Sequence, residues 1–218
     1  DLTAVFDLDG TLVDTLGDLA AATNHALSVC GYPPHTRDEY RFLVGRGARR
    51  LMEGALPEEE RSEETIDRMR SLFNAYYSEH FLDASRPYDG IPEALDALRE
   101  KGVTLAVLSN KPDVFTGRMV RTLLGDRFAA VFGQREGIPL KPDPTAVREV
   151  LQLCGAGADG AVYVGDSDVD ILTGHHASLP AVGCAWGFRG EAELRAAGAD
   201  AVVSAPCELA GAVLAVLS

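Results

Sequence analysis

The chain has 218 residues, 46% hydrophobic and 24% charged, which is ordinary globular composition and enough length for one large domain or a domain with a smaller companion. Its 33 acidic against 20 basic residues give a formal charge of -13, which excludes a phosphate-backbone binder because no net positive field draws nucleic acid in. No apolar run approaches the length that spans a bilayer, and the four cysteines, Cys30, Cys154, Cys184 and Cys207, form no CxxC pair, so they read as small buried side chains in a reducing compartment.

The first apolar run, Leu2 to Leu8, reads as a strand rather than a basic leader, and a cytoplasmic location is expected. It runs into "FDLDGTLVD", residues 6–14. Residues i and i+2 of a strand point to the same side, so Asp7 and Asp9 are near neighbours that repel unless something cationic joins them. Gly10 then lets the chain turn away tightly.

From Thr15 to Ser85 the pattern is helical only, with Leu16, Leu19, Thr23, Leu27 and Cys30 in one segment and Ile66, Met69, Phe73, Tyr76 and His80 in another. Thr36-Arg37-Asp38-Glu39 has the form of a capping box, and Pro33-Pro34 and Pro57 mark connections. Residues 15–85 read as a helical domain inserted after the first strand, and Arg86-Pro87-Tyr88-Asp89-Gly90 returns the chain to the sheet. Further short apolar runs follow at Val103–Leu108, Ala129–Phe132, Ala161–Val164, Ala181–Cys184 and Ala201–Val203. Between most of them lie amphipathic helices, such as Val147, Val150, Leu151, Cys154 and Leu209, Ala212, Val213, Val216. This alternation predicts an α/β fold, a doubly wound parallel sheet with an inserted all-helical domain, whose ligand lies at the carboxyl ends of the strands.

Those ends are polar. They carry Asp7, then Ser109-Asn110, then Lys141-Pro142 in the loop after the short third run, then Gly165-Asp166-Ser167-Asp168-Val169-Asp170. Taken singly, each suits a helix cap or a turn. Asp7, Asp9, Asp166 and Asp170 converging together call for a hard cation with oxygen ligands, and Mg2+ suits a site with few carboxylates and a substrate phosphate.

The set "DLDGT", "LSN", "KP" and "GDSDVD", in this order and at strand ends, resembles the four motifs of the haloacid dehalogenase superfamily of phosphohydrolases, over essentially the whole chain. The insert, the "RPYDGI" return and "WGFRGEAELRAAGADAVV" are similar to its phosphoglycolate phosphatase branch. The resemblance implies a Rossmann-like core of residues 1–14 and 86–218 under a cap of residues 15–85. It implies that Asp7 is a nucleophile forming an aspartyl-phosphate, and that Asp9 is the general acid and then the base. Asp7 and Asp166 would hold Mg2+ with the backbone carbonyl of Asp9, Asp170 acting through water or by orienting ligands. Ser109 and the backbone N–H of Asn110 would bind phosphoryl oxygens, Lys141 would balance charge, and Thr11 would join the substrate-binding residues. Dehalogenases of the superfamily lack an acid at the position of Asp9, so its presence points to phosphatase chemistry.

In the cap, Leu43-Val44-Gly45-Arg46-Gly47 resembles a loop that faces the active site; Gly45 and Gly47 permit a tight turn, and Arg46 could pair with a carboxylate such as that of 2-phosphoglycolate. Ser167 is read as assisting the acidic loop and Asp168 as solvated. His175-His176 point in different directions on a helix, Trp186 reads as packing, and Met69, Phe73 and Tyr76 as cap core. The expectation is a Mg2+-dependent hydrolase of a small phosphomonoester, monomeric or homodimeric, with neither nucleic acid nor membrane as a partner. Three alternatives are a β-phosphoglucomutase-like enzyme, a phospho-accepting receiver module, which has no use for Asp9 or the insert, and a non-catalytic regulator on the same fold.

Overall fold

A computed structural model describes residues 1–218. In chain order its elements are β1 (Thr3–Phe6), β2 (Val13–Asp14), α1 (Leu16–Cys30), α2 (Ala48–Ala55), α3 (Glu63–His80), β3 (Arg86–Pro87), α4 (Ile91–Glu100), β4 (Thr104–Pro112), α5 (Asp113–Leu124), β5 (Ala130–Gln134), α6 (Thr145–Leu153), β6 (Ala161–Gly165), α7 (Asp168–His176), β7 (Ala181–Cys184), α8 (Glu191–Ala196), β8 (Ala201–Val203) and α9 (Leu209–Leu217).

Six strands form one sheet in the order β5-β4-β1-β6-β7-β8, with every neighbouring pair parallel. The doubly wound α/β fold expected from the sequence is thus observed. Alternation of side chains explains its two covered faces: Ala4, Phe6, Leu105, Val107, Val162 and Val164 join α4, α5 and α9 in one core, while Val5, Ala106, Leu108, Ala161 and Tyr163 join α6 in the other. The chain leaves β1 for β4 and β5, then returns to the opposite flank of β1 as β6. The strand order therefore reverses at β1, the topological position where such sheets bind ligands.

The helical segment is attached through a two-stranded antiparallel ribbon, in which Val13 pairs with Pro87 and Asp14 with Arg86. Between these strands the chain is helical: α1, a short 3-10 helix at Asp38–Phe42, α2, a second 3-10 turn at Glu58–Glu60, and α3. The capping box is present, Thr36 N donating to Glu39 Oε2 at 2.8 Å and Glu39 N to Thr36 Oγ1 at 3.4 Å, although the helix it opens is 3-10. In α3 the buried stripe is Ile66, Met69, Phe73 and Tyr77, so Tyr77 takes the inward place the sequence pattern gave to Tyr76. Tyr76 instead stacks between His25 and His80, with ring centroids 4.5 and 4.2 Å away. Of the cysteines only Cys184 is buried; Cys207 is exposed, against expectation. No helix is long and apolar enough to cross a membrane.

Asp18 fastens the insert's beginning to its end. Its buried carboxylate accepts hydrogen bonds from Ala84 N, Ser85 N and Ser85 Oγ, the last at 2.7 Å. Asp18→Ala leaves those buried donors unpaired, and urea unfolding should show a loss of about 2–3 kcal/mol; a change below about 0.5 kcal/mol would place the fastening elsewhere.

Candidate active site

Asp7 follows β1 directly and is held there by its backbone N–H, which donates to Val164 O at 2.9 Å. The chain then turns at Gly10, whose φ of +82° favours glycine and where a Cβ would lie 2.2 Å from Asp166 Oδ2. Asp166 follows β6, the strand beside β1, so adjacency in the sheet rather than in sequence brings the two carboxylates together. Asp7, Asp166 and Asp170 offer oxygen atoms all within 4.8 Å of one another, and all three residues are buried.

Neighbouring groups orient these acids. Asp166 Oδ1 accepts from Thr11 Oγ1 at 3.2 Å and Oδ2 from Phe188 N at 2.9 Å. Asp170 has both oxygens engaged: Oδ2 accepts from the backbone N–H groups of Asp166 and Ser167 at 3.0 and 3.1 Å, while Oδ1 accepts from Lys141 Nζ at 2.8 Å. Asp170 thus braces the loop that carries Asp166, and Ser167 assists it through its hydroxyl at 3.2 Å. A Cβ at Gly165 would lie 2.2 Å from Asp170 Cγ, so only glycine leaves room for this brace.

Lys141 is buried and its ammonium bridges Asp170 and Asp7, lying 3.1 Å from Asp7 Oδ1. Its third partner is Tyr163 OH at 2.8 Å. Burial draws the Lys141 ammonium's pKa downward, but Asp170 and Asp7 outweigh it and hold it well above its usual range. The Asn110 side chain fixes the loop, its Oδ1 accepting from Lys141 N and its Nδ2 donating to Lys141 O. That leaves the Asn110 side chain no part in facing a phosphate.

Burial, and then the charge of Asp170, push Asp7 up to about 7 from its ordinary 3.8 although Lys141 opposes the shift; Asp166 is raised well above the carboxylate range by burial and by Asp170 and Asp7. Asp7, Asp9, Asp166 and Asp170 face two buried ammonium groups, Lys111 and Lys141, leaving two formal negative charges at the strand ends. One divalent cation with oxygen ligands matches that residue of charge and lowers the carboxyl pKa values, so the donor set fits Mg2+.

Over the cluster lies a cavity lined by Asp7, Asp9, Ser109 and Asn110 from below and by Leu19, Val44, Gly45, Gly47, Ala48, Leu51, Phe73 and Tyr77 of the insert. Gly45 and Gly47 therefore face the site as expected. Arg46 does not: its half-exposed guanidinium turns outward to Asp168 Oδ2 at 3.3 Å, and Asp168, expected to be solvated, is its partner. Thr11 likewise departs from the substrate-binding role expected of it, being fully buried on Asp166 outside the cavity lining. His175 and His176 bond to Asp200 and to Pro142 O respectively, and Trp186 packs near Tyr88 while donating to Thr11 O.

Three residues beyond the expected set join the site. Lys111 Nζ sits 2.9 Å from Asp9 Oδ1 and 2.6 Å from Tyr77 OH, and Tyr163 supports Lys141. β4 runs on through Pro112 rather than ending at Leu108, with a shift of register against β5 between those residues, and this continuation carries Lys111 into the site.

With this geometry in place, comparison with known proteins identifies the class. The model of the haloacid dehalogenase-like hydrolases matches residues 4–184, and the chain belongs to that family. It is 38% identical over 85% of its length to a phosphoglycolate phosphatase of Agrobacterium fabrum, covering 81% of that protein. It is also 34% identical over 99% of its length to a phosphoglycolate phosphatase of Caulobacter vibrioides, covering 92% of it. The crystal structure of a phosphoglycolate phosphatase candidate from Lactobacillus delbrueckii subsp. bulgaricus superposes with a TM-score of 0.92 at 30% identity, covering 97% of each chain. The chain is an enzyme, a phosphatase of this family.

The raised Asp7 carboxyl gives a signed expectation. Between its unfolded value of 3.8 and its folded value of about 7 the folded chain keeps a proton that the unfolded chain has released, so stability falls as pH rises through that window. Thermal unfolding of chelator-treated protein should show Tm dropping between acidic and neutral pH, the drop shrinking in Asp7→Asn, and added Mg2+ should raise Tm most at the alkaline end. A Tm insensitive to Mg2+ at every pH would contradict the charge balance described above.

Proposed function

We propose that the chain hydrolyses small phosphomonoesters with Mg2+, that Asp7 carries the phosphoryl group between two steps, and that 2-phosphoglycolate is the substrate. The observation that carries this reading is the bridging of Lys141 between Asp7 and Asp170, with Asp166, Ser109 and Asp9 gathered around the same strand ends. In this reading residues 1–14 and 86–218 are the catalytic core and residues 15–85 a lid domain that excludes water from the reaction.

Asp7 attacks phosphorus in line, and its new bond forms as the ester P–O bond breaks. Asp9 gives its proton to the leaving alkoxide, then takes one from the water that attacks the aspartyl-phosphate and returns Asp7 as a carboxylate. Lys141, fixed by Asp170 and Tyr163, keeps its charge on the nucleophile throughout, and Ser109 and the backbone N–H of Asn110 receive phosphoryl oxygens. Asp7, Asp166 and the backbone carbonyl of Asp9 would hold Mg2+, with Asp170 orienting them. When bound, the ion supplies positive charge to the transferring group.

Substrate choice rests on two supports. Several relatives at 31–38% identity are named phosphoglycolate phosphatases. The cavity's upper wall is formed by the apolar Leu19, Val44, Leu51 and Phe73, which would leave the hydroxyls of a sugar phosphate unpaired.

Phosphate release should be Mg2+-dependent, strongest on 2-phosphoglycolate among small esters that include sugar phosphates, and at least about a thousandfold lower in Asp7→Asn. Equal turnover across the panel would keep the mechanism and remove the substrate. Undiminished turnover in Asp7→Asn would remove the mechanism.

A further inference from the structure

The cavity over Asp7 has one cation in its lining, Lys111, and an otherwise apolar upper wall. Lys111 is buried, its ammonium lying 2.9 Å from Asp9 Oδ1, 2.6 Å from Tyr77 OH and 4.6 Å from the centre of the Tyr77 ring. An ammonium has three donors, and these two bonds leave one for the cavity. Its backbone is fixed as firmly as its side chain. Lys111 O accepts from Thr116 Oγ1 at 3.2 Å, and a Cβ at Gly133 of β5 would come within 2.3 Å of that oxygen, so the close approach of β4 to β5 depends on a glycine there.

Resting on the phosphomonoesterase reading above, we infer that Lys111, steadied by Tyr77, is the specificity residue that receives a carboxylate at the non-transferred end of the substrate. Ser109 and Lys111 line the same cavity from an irregular stretch of β4, where the register against β5 shifts between Leu108 and Pro112 and Lys111 N donates to Ser109 Oγ at 3.2 Å. A group bound through its phosphoryl oxygens at Ser109 therefore extends its other end towards the Lys111 ammonium. Around that end stand Leu19, Val44, Leu51 and Phe73, which offer nothing to an anion and would leave sugar hydroxyls unpaired. Arg46, the other cation of this loop region, is spent on Asp168 at the rim. Turning from Asp9 to a substrate carboxylate, Lys111 also frees the Asp9 oxygen for the leaving group, which ties recognition of the acid to readiness of the proton donor.

The test compares kcat/KM for 2-phosphoglycolate and for ethyl phosphate, which lacks the carboxylate, in the Mg2+-loaded enzyme. Wild type should favour the acid, and Lys111→Met should lower the ratio of the two constants by about tenfold or more through KM for the acid. Lys111→Arg should keep most of the ratio. Tyr77→Phe, which leaves the Lys111–Asp9 pair in place, should lower it by a smaller factor, and it decides the matter if Lys111→Met does not fold. Arg46→Ala should leave the ratio unchanged. Equal losses on both esters in Lys111→Met and Tyr77→Phe would make Lys111 a support for Asp9 alone and overturn the inference, as would loss of the ratio in Arg46→Ala. A wild-type ratio near one overturns the assignment of Lys111 while the phosphatase mechanism stands; no turnover of either ester by wild type overturns that mechanism as well.

Discussion

The structure depends on holding four carboxylates together at the poorly solvated end of a parallel sheet. Like charges at this spacing are costly, and the fold meets the cost with a buried ammonium on each side: Lys141 between Asp7 and Asp170, and Lys111 on Asp9. The two lysines together leave two formal negative charges on the cluster, a balance that a divalent cation would complete. The rest of the architecture follows from that demand. Glycines at 10 and 165 let Asp166 and Asp170 come close, Thr11 and the Phe188 N–H aim Asp166, and Tyr163 and Asn110 fix Lys141.

The insert completes this environment by covering it. Arg41 donates to the carbonyl oxygens of Phe188 and Gly187 at 3.1 and 3.0 Å, while Arg189 donates back to Arg41 O and Phe42 O. Asn110 Nδ2 reaches Gly45 O at 3.1 Å from below. Phe188 thus stands between the arginine clasp on its carbonyl and Asp166 on its N–H, so the seating of the helical segment and the aim of the Asp166 carboxylate share one residue. Edge-to-face packing of Tyr77 with Phe115 of α5, centroids 5.0 Å apart, adds an apolar contact behind Lys111.

Local pattern carried most of the fold into the sequence. Continuous β-rich runs separated by helical periods fixed the six strands within a few residues, because burial on both sheet faces leaves little freedom in composition. The acids of the site were legible from their grouping: a carboxylate after an apolar strand is ordinary by itself, but four gathered at one edge of the sheet invite a cation. What escaped was set by distance in sequence. Lys111 followed by Pro112 has the look of a surface loop, and only its bonds to Asp9, 102 residues away, and to Tyr77 make it internal. Arg46 carried the charge that a carboxylate site needs, but its partner Asp168 lies 122 residues on and draws it to the rim. Tyr76 and Tyr77 are neighbours with equal claims to the helix stripe, and packing against Phe115 selected the second.

The central claim is that Asp7 carries the phosphoryl group, and its most direct measurement uses Asp9→Asn with p-nitrophenyl phosphate, whose leaving group needs no protonation while hydrolysis of the intermediate still needs a base. Acid-quenched protein, digested and analysed by mass spectrometry, should carry one phosphoryl group on the peptide that contains Asp7, formed only when Mg2+ is present. Release of p-nitrophenol with no protein adduct, or an adduct on any other residue, would contradict the mechanism.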